Sequence, residues 1–86
     1  MKLKKGFIPH ITNDEYYLVP TSDVKFSGII KGNKTAYFIW ECLMEETQQE
    51  KIVEKVLDKY QVDRSRAEKS VIDVLTQLKE IGAIDE

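Results

Sequence analysis

The sequence predicts an α+β fold, a three-stranded antiparallel sheet followed by three helices in a winged helix-turn-helix-like arrangement. Three observations carry that prediction. Short apolar runs broken by turn residues fill the first third of the chain. Apolar residues then recur at helical spacing from Ala36 to the end. The links between the helical stretches are only a few residues long, so the helices must pack on one another and on a small sheet.

The strands come first. Met1 to Lys5 is a charged tail expected to fray, and the ordered core is expected over about residues 7–84. Phe7-Ile8-Pro9-His10-Ile11 is a first strand. Pro9 cannot donate to a ladder, so that strand belongs at an edge or starts late. Asn13-Asp14 is a turn, Tyr16-Tyr17-Leu18-Val19 returns from it, and Pro20 ends the hairpin. Thr21-Ser22-Asp23 is a second turn. Val24 to Lys31 is the third strand, with Val24, Phe26 and Ile30 on one face, Ile29 on the other, and Gly28 marking a bulge.

The helices follow. Asn33 is an N-cap, and Ala36, Ile39, Trp40 and Leu43 recur at i, i+3, i+4 and i+7 over a helix of about 34–45. Thr47-x-x-Glu50 fits a capping box for a helix of about 48–60, lined by Ile52, Val53, Val56, Leu57 and Tyr60. Asp63 or Ser65 caps the third helix, whose core face is Ala67, Val71, Val74, Leu75 and Leu78. Gly82 stops it, and Ile84 folds back on the core.

Eighty-six residues with 42% hydrophobic and 33% charged side chains make one soluble globular domain, residues 1–86. The net charge of −2 weighs against a dedicated nucleic-acid binder. One cysteine forms no intramolecular disulfide, which suits a reducing compartment. No signal peptide or membrane span is legible, so a cytoplasmic location is expected, with no membrane partner.

Catalytic chemistry is hard to assemble from these residues. His10 is the one histidine, and no cysteine cluster accompanies it, so no metal site and no cofactor are expected. Cys42 lies beside the core face of its helix, where thiols are inert. The four glycines are scattered and cradle no phosphate. The chain is read as a non-enzyme.

What remains is surface. With Val71 as the zero of a helical wheel at about 100° per residue, Ile72 falls about 100° away, beside Glu68, Thr76 and Lys79. Either the core face is wide there, or Ile72 pairs with Ile29 of the third strand as two walls of a shallow apolar groove. An extended peptide could add to the strand's open edge in that groove. Lys25, Lys31, Arg66 and Lys69 would favour an acidic peptide, or they are ordinary solubilising charges.

The run Asn33-x-Thr35-Ala36-x-x-Ile39-Trp40-Glu41-x-Leu43 resembles the first-helix signature of PqqD-like proteins. Thr47-x-x-Glu50-x-Ile52-Val53, Tyr60-x-Val62-Asp63, Ala67-Glu68-x-x-Val71 and Gly82-Ala83-Ile84 continue in register. The resemblance covers roughly residues 7–84. The family often carries a leucine where this chain has Gly32. The resemblance implies a recognition element for ribosomally made, post-translationally modified peptides. Such domains hold a precursor's leader as an added strand between the third strand and the third helix. They pass it to a modifying enzyme, commonly a radical SAM protein, or to a leader protease, in PQQ-like, sactipeptide or lasso-type pathways.

The peptide-binding residues expected on that basis are Phe26, Ile29, Ile30, Lys31, Arg66, Lys69, Ile72 and Thr76. The expected partners are a leader peptide and a modifying enzyme. A monomer, or a weak dimer swapped through the N-terminal hairpin, is expected. The alternative is a winged-helix transcriptional regulator with Arg64, Arg66, Lys69 and Gln77 in the major groove. Net acidity and the acids Glu68, Asp73 and Glu80 on the same helix argue against it.

Overall fold

A tight hairpin starts the main sheet. In a computed structural model describing residues 1–21 and 28–85, strands β1 (Lys2–Leu3), β2 (Phe7–Thr12) and β3 (Glu15–Pro20) precede β4 (Ile30–Gly32). Helices α1 (Lys34–Cys42), α2 (Gln49–Lys59) and α3 (Arg64–Glu80) follow, and β5 (Ile84–Asp85) closes the chain. Asn13 and Asp14 both have positive φ, 49° and 62°. That is the two-residue reversal whose twist matches paired strands, and Asn and Asp tolerate it better than most residues. Register then runs Thr12↔Glu15, Pro9↔Leu18 and Phe7↔Pro20, so β3 ends on Pro20 as expected.

The sheet order is β2-β3-β4, all antiparallel. Pro9 lies in β2, an edge strand, where its missing N–H leaves no gap in the sheet interior. Leu18 pairs with Ile30, and both are buried with Phe7 on the face that meets the helices. The third strand expected over Val24–Lys31 is described as Ile30–Gly32. Residues 22–27, with the expected strand start at Val24, the site residue Phe26 and part of the Thr21–Asp23 turn, lie outside the described residues. Gly28 sits in a bend ahead of the described ladder at φ 115°, and the bulge expected there involves residues outside the described ones.

The helix ends follow local chemistry. Asn33 Oδ1 accepts from the Ala36 N–H at 2.8 Å, and Asp63 Oδ1 accepts from Arg66 N–H at 2.8 Å. At the C-terminal end of α3, Gly82 N–H donates to Lys79 O, and Ala83 N–H to Leu78 O. With Gly82 at φ +72°, this pair of bonds satisfies two orphan carbonyls and turns the chain back. Ala83 and Ile84 are buried in consequence.

Three expectations fail where the N-terminal segment meets the core. Residues 1–5 are not a frayed tail: β1 pairs with β5, and Leu3 is 4% exposed in the core. Leu3 N–H donates to Leu43 O at 2.8 Å, and Thr47 N–H donates to Met1 O at 2.9 Å. Those bonds also explain why α1 ends at Cys42 rather than near residue 45. The Leu43 carbonyl and Thr47 amide that a longer helix would join to each other are bonded to the N-terminal segment instead. Thr47 is therefore buried in that joint and is not the cap of α2. Gln48 holds the cap position without a side-chain bond, so the expected capping box does not form.

One core joins the layers. Trp40 and Ile39 of α1 and Leu43 at its C-cap meet Ile52, Val53 and Val56 of α2, and Val71, Leu75 and Leu78 of α3, all fully buried or nearly so. No helix among the described residues is long and apolar enough to cross a membrane. The core explains Gly32. A Cβ there would stand 2.6 Å from Trp40 Cη2 and 3.0 Å from Ala36 Cβ. The indole lies directly under the end of β4, and only a glycine lets it do so.

Candidate functional site

β4 pairs with β3 along one side only, so its other edge is open among the described residues. An open edge presents unpaired N–H and C=O groups. Beside the end of this strand lies a cleft of about 300 Å³. Gly32, Asn33, Thr35 and Ala36 form one wall, and Ser70, Asp73, Val74 and Gln77 of α3 form the other. Gly32 matters twice: it seats Trp40, and it leaves the mouth of the cleft unobstructed by a side chain. A second pocket of about 140 Å³ shares Thr35 and Ser70 with the cleft and continues it toward Arg66, Val62 and the end of α2.

The cleft is more polar than the apolar groove expected from the sequence. Asn33, Thr35, Ser70, Asp73 and Gln77 offer short hydrogen-bonding side chains, and Val74 and Ala36 supply the apolar part. The difference lies in which flank of α3 is turned to the strand. At about 100° per residue, Ser70, Val74 and Gln77 fall to one side of buried Val71, while Ile72 and Thr76 fall to the other.

The expected site residues therefore separate. Ile30 is 7% exposed, a core side chain whose backbone alone borders the edge. Ile29, 64% exposed, stands just ahead of it. Lys31 is exposed and lies 3.6 Å from Glu15 across the sheet. Arg66 lines the second pocket. Lys69 bonds Asp73 of the cleft wall at 3.2 Å, one turn along α3. Ile72 and Thr76 are exposed and are not among the residues lining the cleft. The stripe Ser70-Val74-Gln77, at i, i+4 and i+7, was legible as a flank of the third helix. What obscured it is that Val74 also fits the core face.

Charge is distributed unevenly around the site. Arg64 is held by three carboxylates: Glu50 at 2.9 Å, Glu68 at 3.5 Å, and Glu54. Its guanidinium pKa is raised, first by the hydrogen bond to Glu50 and then by that to Glu54. The Glu15 carboxyl is held below its usual range by the Tyr17 hydroxyl and next by Lys31. Arg66 has no ion pair among the described residues. It lines the cleft's extension. Cys42 is half-buried, and burial pushes its thiol pKa up, which agrees with an inert residue.

Two solved structures share this architecture. One is TbiB1 in complex with the TbiA(beta) leader peptide, 27% identical, covering 99% of this chain and 100% of the other, with a TM-score of 0.72. The second is lasso peptide synthetase B1 complexed with the leader peptide, 22% identical, covering 95% and 93%, also with a TM-score of 0.72. The second likeness speaks for the fold alone. No curated protein matches the sequence. The family model for coenzyme PQQ synthesis protein D matches residues 15–84, from the start of β3 through the first residue of β5. The chain belongs to the PqqD family.

Proposed function

We propose that this chain binds the leader segment of a ribosomally synthesised precursor peptide as an added strand on β4, and delivers it to a modifying enzyme. The observation that carries the reading is the open β4 edge lying beside a cleft against α3. Strand addition takes its affinity from main-chain bonds, and the cleft supplies selectivity for alternate side chains. Membership of the PqqD family and the likeness to leader-bound TbiB1 support it. In this reading Ile29, Ile30 and Lys31 offer the strand side. Val74, Ser70 and Gln77 face the peptide from α3, and Arg66 favours an acidic residue at the α2 end. Lys69 acts through Asp73, and Ile72 and Thr76 border the site only from the far flank.

The domain acts as an adaptor in this reading, and the chemistry belongs to its partner, a radical SAM enzyme or a leader protease, in the cytoplasm. The DNA-binding alternative keeps Arg66 but loses Arg64 and Lys69 as free cations. Arg64 is already neutralised by three carboxylates and Lys69 is paired with Asp73, which leaves little charge on α3 for phosphates.

Calorimetric titration with the leader of the precursor encoded beside this chain's gene tests the proposal. Saturable binding is expected. Gln77→Trp at an exposed position should weaken it at least about tenfold, near 1.4 kcal/mol, with the circular dichroism unchanged, and Val74→Asp should weaken it as much at some cost in stability. Ile72→Asp should change it by less than about twofold, or about 0.4 kcal/mol. Absence of saturable binding would refute the reading, and the reverse order of the variants would move the site to the Ile72 flank.

A further inference from the structure

A pocket of about 190 Å³ opens on the far side of α1 from the cleft. Thr35 and Ala36 turn toward the cleft, while Lys34, Tyr37, Phe38 and Glu41 line this pocket. Four rings build its walls: Tyr16, Tyr37, Phe38 and Tyr60. They brace one another, with Tyr16 and Tyr37 centroids 5.5 Å apart and Phe38 edge-on to Tyr60 at 5.9 Å. All four are only partly buried against the core. Ile11 at the lip is 48% exposed.

Two features mark this as more than a packing defect. The Tyr60 hydroxyl is buried and has no hydrogen-bond partner among the described residues. Burial raises its pKa, and Tyr16 and Glu41 of this pocket raise it further. A buried donor without an acceptor is costly, and because the hydroxyl is closed to solvent, an occupant removes the cost by shifting the ring and bringing an acceptor to it. The rim is also unbalanced. Lys34 and Lys59 have no ion pair among the described residues and stand against Glu41 alone, while Lys59 Nζ lies 5.1 Å over the Phe38 ring.

An apolar cavity of about 150 Å³ holds one benzene. This pocket therefore fits a single aromatic side chain, and the lysines fit a carboxylate beside it. We infer that the pocket is a docking socket for the modifying protein, taking one aromatic side chain flanked by an acidic residue. The inference rests on the leader-binding reading for its choice of partner. α1 stands between the β4 cleft and the socket, and among the described residues only Tyr60 lines both the socket and the cleft's extension, so a strand bound on β4 leaves the Ile11, Tyr37 and Phe38 side of the socket free for the enzyme.

The test is a titration of isotope-labelled protein with N-acetyl-Asp-Phe-amide and N-acetyl-Lys-Phe-amide, with and without saturating leader peptide. The acidic dipeptide should shift the amides of Tyr16, Tyr37 and Phe38 saturably, whether or not leader is bound. The lysine dipeptide should bind at least about threefold more weakly. Ile11→Asp should abolish the shifts and leave leader affinity unchanged, and Tyr60→Phe should weaken them without loss of fold. No saturable shift at these residues overturns the inference, as does equal binding of the two dipeptides. Leader peptide that itself saturates these amides also overturns it, by making the pocket part of the leader's own path. Saturable dipeptide binding in a chain that ignores leader would refute the leader reading and leave the socket standing.

Discussion

Gly32→Ala is a small substitution with a large expected effect. The new methyl would stand 2.6 Å from Trp40 Cη2, 2.9 Å from Cζ2 and 3.0 Å from Ala36 Cβ. Favourable carbon–carbon contact begins near 3.5 Å, so the indole or the strand must move by about 1 Å. Trp40 is 1% exposed and packs among fully buried neighbours, so the ring has nowhere to go without displacing them. Overpacking of this kind costs about 1–3 kcal/mol. In a domain of this size that lowers the Tm by roughly 5–20 °C. Urea titration followed by fluorescence reads it directly, because Trp40 is the single tryptophan. Trp40→Phe removes the two ring atoms nearest the new methyl. A double-mutant cycle should therefore return a coupling above about 0.5 kcal/mol. A Tm within about 1 °C of the parent, or no coupling, would refute the argument that the indole requires this glycine.

Leu3→Ala should cost about 2–4 kcal/mol in urea denaturation, because Leu3 is a core residue; a frayed tail would give nothing measurable. Cys42 should react with iodoacetamide more slowly than a free thiol at mildly alkaline pH, and speed up on unfolding. The sign extends to stability. The folded state favours the protonated thiol, so that contribution is present below the pH at which a free thiol ionises and declines as pH rises above it.

Much of the fold was legible because it rests on local signals. Asn33, Asp63 and Gly82 act at the helix ends through their own side chain or backbone freedom, and Asn13-Asp14 sets the hairpin register by turn geometry alone. What was not legible depends on contacts distant in sequence. Nothing in Met1–Leu3 announces that its backbone will bond to Leu43 and Thr47, so the tail looked loose and α1 looked longer. The cap reading of Thr47 failed for the same reason. The cleft was half legible. A cleft does lie between the end of the strand and the third helix, but the flank of α3 that lines it was not decided by periodicity. Val74 satisfies both the core stripe and the cleft wall, and an exposed isoleucine at position 72 drew the groove to the other side. Gly32 looked like a departure from the family; its reason, the indole beneath it, exists only once β4 and α1 are packed.

Amide exchange and cross-strand nuclear Overhauser contacts, with labelled leader peptide bound, test the central claim most directly. New protection is expected within Ile30–Gly32, with strand-type contacts from leader amides to that edge and side-chain contacts from leader to Val74 and Gln77. Leader that binds without protecting β4, or that contacts the Ile72 and Thr76 flank instead, would contradict it.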